Sequence, residues 1–388
     1  MTLQAQADAL LRRATGAGDV PGVAAMATDR RGTLYEGAAG LRGLGQPAAM
    51  SADTVVWIAS MTKALTGAGI MQLVEQGRLD LDSPATRWAP EIGKNQVLEG
   101  FDASGKPKLR PPKRPITLRH LLTHTAGFGY ENWNREILEY QQRTGLPSLG
   151  TWKLESLKSP LLFDPGDRWN YGINIDWAGR ILEAVTGKKL SDYLKENLFG
   201  PLGMDSTGFK LTPSMQSRLA KVHQRNAQGA LAVTDRTMPQ NPEFETGGGG
   251  MYSTCEDYLK FIRMMLNRGK LDGVQVLKPE TVDLMGRNHM GDTPVTLLKA
   301  VIPERTNDAE FFPGMPKRWG LTFMINLEQA PTGRSAGSLS WAGLGNTYYW
   351  IDPTKGIGGV LVTQILPFAD VKALPLYLAF EKAVYGSL

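Results

Sequence analysis

Strand-like runs lie at the two ends of this chain and helix-like ones lie between them, and that arrangement constrains the fold more than any single motif. Gly22 to Thr28 and Thr33 to Ala39 are apolar runs separated by Asp29-Arg30-Arg31-Gly32, which reads as a hairpin turn. Strand-like runs return at Gly320 to Leu327, Ser338 to Ala342, Asn346 to Ile351 and Gly358 to Gln364. Asp352-Pro353 marks a turn that makes the last two an antiparallel pair. From Asp80 to about Asn241, helical patterns at Leu118 to Leu122, Ile137 to Gln142, Ile173 to Val185 and Leu190 to Leu198 alternate with Pro- and Gly-rich connections. The expected fold class is α+β: an antiparallel sheet flanked by helices and built from residues 1–82 with 242–388, carrying a mostly helical inserted domain at 83–241. A chain of 388 residues can fill two such lobes, and the cleft between them is where an active site is expected.

Composition narrows the function. With 42% apolar and 21% charged residues the chain reads as an ordinary soluble globular protein. Its net charge of +5 is small for this size. The densest basic stretch, Lys106, Lys108, Arg110, Lys113 and Arg114, is interleaved with prolines and has no aromatic residue for base stacking, so it reads as a solvated loop and no nucleic-acid partner is expected. Cys255 is the single cysteine, which excludes an intramolecular disulfide. It lies in Ser253-Thr254-Cys255-Glu256, a capping-box pattern opening a helix through Tyr258, Phe261, Ile262 and Met265. A helix N-terminus can lower a thiol pKa, but with no histidine near in sequence a structural or incidental role is expected. Met1 to Arg13 is an amphipathic helix pattern without the apolar region of a signal peptide, and no run is long enough to span a bilayer, so a cytoplasmic location is expected.

The chemistry centres on Ser60-Met61-Thr62-Lys63. Residues three apart on a helix share a face, so the Lys63 amine can lie beside the Ser60 hydroxyl. A serine hydroxyl is a weak nucleophile at neutral pH, and a desolvated lysine can serve as its base. One such tetrapeptide is present and roughly one is expected by chance, so its context decides. Val55 to Ala59 forms an apolar lead-in, and Ala64 to Gly77 follows at helical spacing, which puts Ser60 at a helix N-terminus. The bland alternative is a solvated serine beside a surface lysine. Two further segments bear on it. Tyr171, in Trp169-Asn170-Tyr171-Gly172, stands in a turn ahead of a helix and could relay protons. Trp341-Ala342-Gly343-Leu344 ends a strand run whose glycine lets backbone approach a ligand and offer an N–H to an oxyanion hole, with the Ser60 N–H as the other. Taken singly, each aromatic would read as packing.

In that order, Ser60-x-x-Lys63, Tyr171 and Trp341-Ala342-Gly343 resemble the serine β-lactamase and penicillin-binding-protein superfamily, and within it the class C-like branch that holds the family VIII carboxylesterases. Ile116 to Gly127, Gly200-Pro201-Leu202-Gly203-Met204 and Gly247 to Ser253 add to the likeness, which spans nearly the whole chain. The resemblance implies a β-lactamase/transpeptidase-like fold, with Ser60 as nucleophile, Lys63 as base and Tyr171 as proton relay. It also implies that the backbone N–H groups of Ser60 and Leu344 form the oxyanion hole, and that Trp341, Ala342 and Gly343 line the substrate pocket. Two departures carry information. Class C enzymes have Tyr-x-Asn where this chain has Tyr171-Gly172-Ile173, with Asn174 one residue late, and Lys-Thr-Gly where it has Trp341-Ala342-Gly343. The lysine that would pair with a β-lactam carboxylate is absent, and the two departures together point to neutral esters, as in family VIII, and leave only weak activity on cephalosporin-type substrates.

The expected activity is hydrolysis of short-chain esters through a Ser60 acyl-enzyme, with a small-molecule ester as partner and no cofactor. The rivals are amide, β-lactam or D-amino-acid peptide hydrolysis, acyl transfer by the same intermediate, or a catalytically silent binding protein, against which intact Ser60, Lys63 and Tyr171 argue. Gly333-Arg334-Ser335-Ala336-Gly337 imitates a hydrolase elbow, but a strand pattern follows it and no histidine lies downstream. His120 and His124 have helical spacing without a zinc protease's glutamate, so no metal is expected. Pocket shape is expected to come from the segment between Gly127 and Pro160, with Trp133, Tyr140 and Trp152.

Overall fold

The computed structural model describes residues 2–388. Its centre is a seven-stranded sheet of β1 (Gly22–Asp29), β2 (Thr33–Gly40), β3 (Lys317–Trp319), β4 (Met324–Asn326), β5 (Leu339–Gly343), β6 (Thr347–Asp352) and β7 (Ile357–Val362), in the order β3-β4-β5-β6-β7-β1-β2. Every neighbouring pair is antiparallel. The two ends of the chain meet inside the sheet, where Ala24 of β1 stands opposite Val362 of β7. The β1–β2 turn closes because the Asp29 carboxylate accepts the N–H groups of Arg31 and Gly32, which holds it below the usual carboxylate range against the pull of burial.

Helices α1 (Leu3–Gly16) and α5 (Ala373–Tyr385) cover one face of the sheet and α4 (Cys255–Leu266) the other, while α2 (Thr62–Glu75) and α3 (Asn174–Thr186) pack against each other. Alternation along β6 assigns the faces. Tyr348 stacks on Tyr377 of α5 at 4.7 Å and Trp350 meets Phe380 at 5.9 Å, while Tyr349 between them turns to Tyr258 of α4 at 5.1 Å. Gly359 faces Trp350 across the ladder, and a Cβ there would fall 2.3 Å from the indole, so only glycine admits that ring. Helix α2 buries residues on every side and packs against α3, as its lack of a polar stripe requires.

Four local expectations are corrected. The run at 320–327 is not one strand, because Gly320 to Phe323 turn the chain between β3 and β4. Helix α2 begins at Thr62, leaving Ser60 on the turn before it. The cap of α4 is Thr254, whose hydroxyl accepts the Asp257 N–H, one residue later than the Ser253 pattern suggested. The basic stretch is partly a strand, Pro107–Arg110 paired with Val97–Phe101, and Arg110 is neutralised by Asp164 and Glu99. No helix among the described residues is long and apolar enough to cross a membrane.

Candidate active site

Ser60 sits on a single 3-10 turn, Ala59–Met61, between the two-residue strand Val56–Trp57 and α2. That strand pairs with Tyr252–Ser253. From the other side β5 crosses so closely that a Cβ on Gly343 would lie 2.2 Å from the Ile58 carbonyl oxygen. Ala59 is forced into the left-handed region at φ 43°, which costs an alanine roughly 1–2 kcal/mol, and it turns the chain sharply so that Ser60 is presented half-buried at the cleft.

Lys63, in the first turn of α2, is buried with its Nζ 3.1 Å from Ser60 Oγ and 3.2 Å from the Tyr130 hydroxyl, and it also donates to the Gly248 carbonyl. It lies 4.7 Å above the Tyr171 ring. No carboxylate among the described residues comes within ion-pair distance of it. The charge it feels is Asp176 of α3, one step removed: Asp176 accepts the Gly248 N–H at 3.0 Å and the Tyr130 hydroxyl at 3.4 Å. Burial pulls the Lys63 pKa down to about 7, with Asp176 opposing, and burial pushes Asp176 up, with Lys63 opposing.

Tyr171 is buried, accepts a hydrogen bond from the Trp341 indole at 2.9 Å and neighbours the Ser60 hydroxyl. Burial raises its pKa above the ordinary tyrosine value, although the contacts with Ser60 and Trp341 oppose this, so the phenol is neutral at pH 7 and able to give up a proton only as another arrives. Trp341 packs against Tyr171 at 4.9 Å and Trp319 at 4.6 Å, behind the tyrosine, and Ala342 is buried beside it. A cavity of about 300 Å³ opens over Ser60, walled by Trp57, Tyr130, Trp133, Trp152, Met238 and Leu344. Trp341 and Tyr140 are not on that wall. Among the described residues no protein acceptor takes the Leu344 N–H. A larger hollow of about 700 Å³ between Trp88, Leu154 and Trp177 contains neither Ser60 nor Lys63.

The Beta-lactamase family profile matches residues 7–382. This chain belongs to the Beta-lactamase family. It is 34% identical to monacolin J acid methylbutanoyltransferase from Aspergillus terreus, over 97% of this chain and 94% of that one. It is 32% identical to lovastatin esterase from Penicillium rubens, over 97% of each. The solved structure of simvastatin synthase from Aspergillus terreus superposes with a TM-score of 0.87 at 32% identity, covering 98% of this chain and 97% of that one. The β-lactamase/transpeptidase-like fold expected from the motifs is the fold observed.

Within this Beta-lactamase family fold the remaining sequence candidates lie elsewhere. Ser335 is in the turn before β5, its N–H given to Asp352. Asn174 points to His124 Nδ1 at 2.9 Å, not to Ser60. His120 accepts the Thr117 N–H at the start of its own helix, and His124 packs against the rings of Tyr171 and Trp319. Cys255 is buried, and burial pushes its thiol far above the usual range, so the helix N-terminus does not activate it. Sequence reasoning passed over Tyr130 and Asp176. Asp176 was visible as an acidic residue inside the apolar run of Ile175, Trp177 and Ala178; Tyr130, on an aperiodic loop, gave no signal.

Proposed function

We propose that this protein is an acyltransferase that forms an acyl-enzyme on Ser60 and hands the acyl group to an alcohol, with water as a competing acceptor. The observation that carries the reading is Lys63: a buried amine at hydrogen-bond distance from a serine hydroxyl, with no carboxylate locked onto it. Such an amine is deprotonated often enough near neutral pH to take the serine proton. Ser60 Oγ attacks the acyl carbonyl while Lys63 accepts the proton. The carbonyl oxygen turns negative against the N–H groups of Ser60 and Leu344, and the Tyr171 hydroxyl passes a proton to the departing group as the proton held by Lys63 replaces it, which returns Lys63 to the neutral amine. The second half repeats these steps in reverse with the incoming alcohol.

The esterase expectation shifts here. The relatives favour transfer, through the methylbutanoyltransferase at 34% identity, and the aromatic cavity wall suits an apolar acceptor that displaces water. Hydrolysis stays as the second reading, supported by the likeness to lovastatin esterase. The test supplies a butyryl thioester with rising amounts of an alcohol and follows product ester, free acid and the intact mass of the protein. Transfer predicts a Ser60 adduct, ester that grows with the alcohol, and free acid that falls in step. Free acid indifferent to the alcohol would leave only the esterase, and the absence of any adduct on folded protein would leave a binding protein.

A further inference from the structure

The cavity over Ser60 has an unbalanced rim. One acidic and two basic side chains stand on its wall: Glu131, Arg305 and Arg236. Glu131 and Arg305 satisfy each other at 3.0 Å, with Arg305 also donating to Asn132 and Glu131 accepting the Ser148 hydroxyl. Arg236 has no such partner. Its guanidinium lies 5.3 Å over the Trp57 ring, and among the described residues none of its five N–H donors is taken by a protein acceptor. Trp57 is itself anchored, its indole donating to the Gly249 carbonyl at 2.8 Å, so the platform under Arg236 is fixed three residues from the nucleophile. The wall sets two guanidinium groups against one carboxylate, and the Glu131–Arg305 pair leaves Arg236 as a surplus positive charge.

A planar guanidinium braced on an aromatic ring, with its donor edge open, fits a carboxylate or phosphate better than a neutral ligand. We propose that Arg236 is a specificity residue that receives an anionic group on the molecule in the cavity, so the enzyme prefers a substrate with a negatively charged tail. This rests on the reading of the cavity as the acyl-transfer site. The missing lysine of the third motif pointed to neutral substrates, and Arg236 restores a cation from a different segment. The anion has two sources, a carboxylate on the acceptor alcohol or the phosphates of a coenzyme-type thioester donor.

Equilibrium binding to Ser60→Ala protein tests the inference without any turnover. Mandelate is compared with methyl mandelate, and butyryl-CoA with butyryl-N-acetylcysteamine, on Ser60→Ala and on the Ser60→Ala/Arg236→Gln double variant. A charge-assisted contact at a partly open rim is expected to favour an anionic ligand by about tenfold, to lose that preference in the double variant and to weaken with salt. Preference within the mandelate pair assigns the acceptor, and within the thioester pair the donor. Equal binding within both pairs, or a preference that survives Arg236→Gln in protein with unchanged circular dichroism, overturns the proposal. Turnover of a neutral butyryl ester by the wild-type enzyme is measured alongside, and its absence would count against acyl transfer itself while leaving the binding result to stand on its own.

Discussion

The back of the sheet and the cleft each bury a cation near a carboxylate, and they are built in opposite ways. Behind the sheet, Arg334 grips Glu381 of α5 directly, Nε to Oε1 at 2.8 Å, with Thr332 and Tyr377 completing the contacts. Burial opposes the charged guanidinium, yet Glu381 holds its pKa above the usual value. In the cleft, Lys63 and Asp176 share the same dry interior but stand apart, with Tyr130 and Gly248 between them. Their pKa values move toward each other. Direct contact with a guanidinium locks Arg334 and Glu381 as an ion pair, whereas the hydroxyl between Lys63 and Asp176 leaves the Lys63 amine able to lose its proton near pH 7.

The most severe break of that comparison comes from the charged groups themselves. Lys63→Met is expected to cost about 10²–10⁴-fold in kcat/KM for acyl transfer, the usual weight of a general base, while leaving the urea midpoint unchanged or higher because it removes a costly buried amine. Glu381→Gln should do the reverse. It strands Arg334 in the interior at a cost of about 3–5 kcal/mol, read as a fall in the urea midpoint, with the remaining folded enzyme acylating Ser60 normally. Equal effects of both substitutions on both readouts would erase the distinction. Tyr171→Phe follows, with a loss of about 10²-fold or more in the acylation rate measured by burst kinetics.

Two subtler tests sharpen it. Because Lys63 titrates at about 7 in the folded protein and in the ordinary lysine range when unfolded, kcat/KM should climb through about pH 7 as the amine loses its proton. Between that pH and the unfolded value the unfolded chain binds the extra proton, so the Lys63 penalty on stability is full below about pH 7 and fades as pH rises. Asp176 pulls the Lys63 pKa upward, so Asp176→Asn should move the ascending limb to lower pH; a shift to higher pH would refute the coupling. Trp341→Phe keeps a ring against Tyr171 but removes the indole donor, and a loss of roughly tenfold in kcat is expected, with KM little changed.

The contrast also shows what a sequence displays. The sheet was legible because alternation and turn chemistry are local: Asp29 to Gly32 announce their turn, and the runs at 339–343, 347–352 and 357–362 lie close to where the pattern put them. The nearness of Ser60 and Lys63 was legible because a helical spacing brings their side chains together, whereas Tyr171 stood out only through the order of motifs that resembles the family. The parts of Asp176 and Tyr130 were not legible, although Asp176 stood out as an acid in an apolar run, since those parts depend on a meeting of α2, α3 and an aperiodic loop that no single segment encodes. The sequence role given to Trp341, a pocket wall, becomes a backing for Tyr171, because which side of an aromatic faces a cavity is a tertiary matter. Arg236 likewise drew no attention, lying outside every periodic run.

The pairing of β1 with β7 has a consequence for how the protein is made. The edge of β1 that Ile357–Val362 will cover leaves the ribosome more than three hundred residues before its partner exists. At ordinary synthesis rates that interval is roughly 15–65 s, during which the Gly22–Gly40 hairpin presents an unpaired apolar strand. The sheet therefore closes only once β7 has emerged, and a chain that stalls before β7 leaves that strand open to the nearest neighbour.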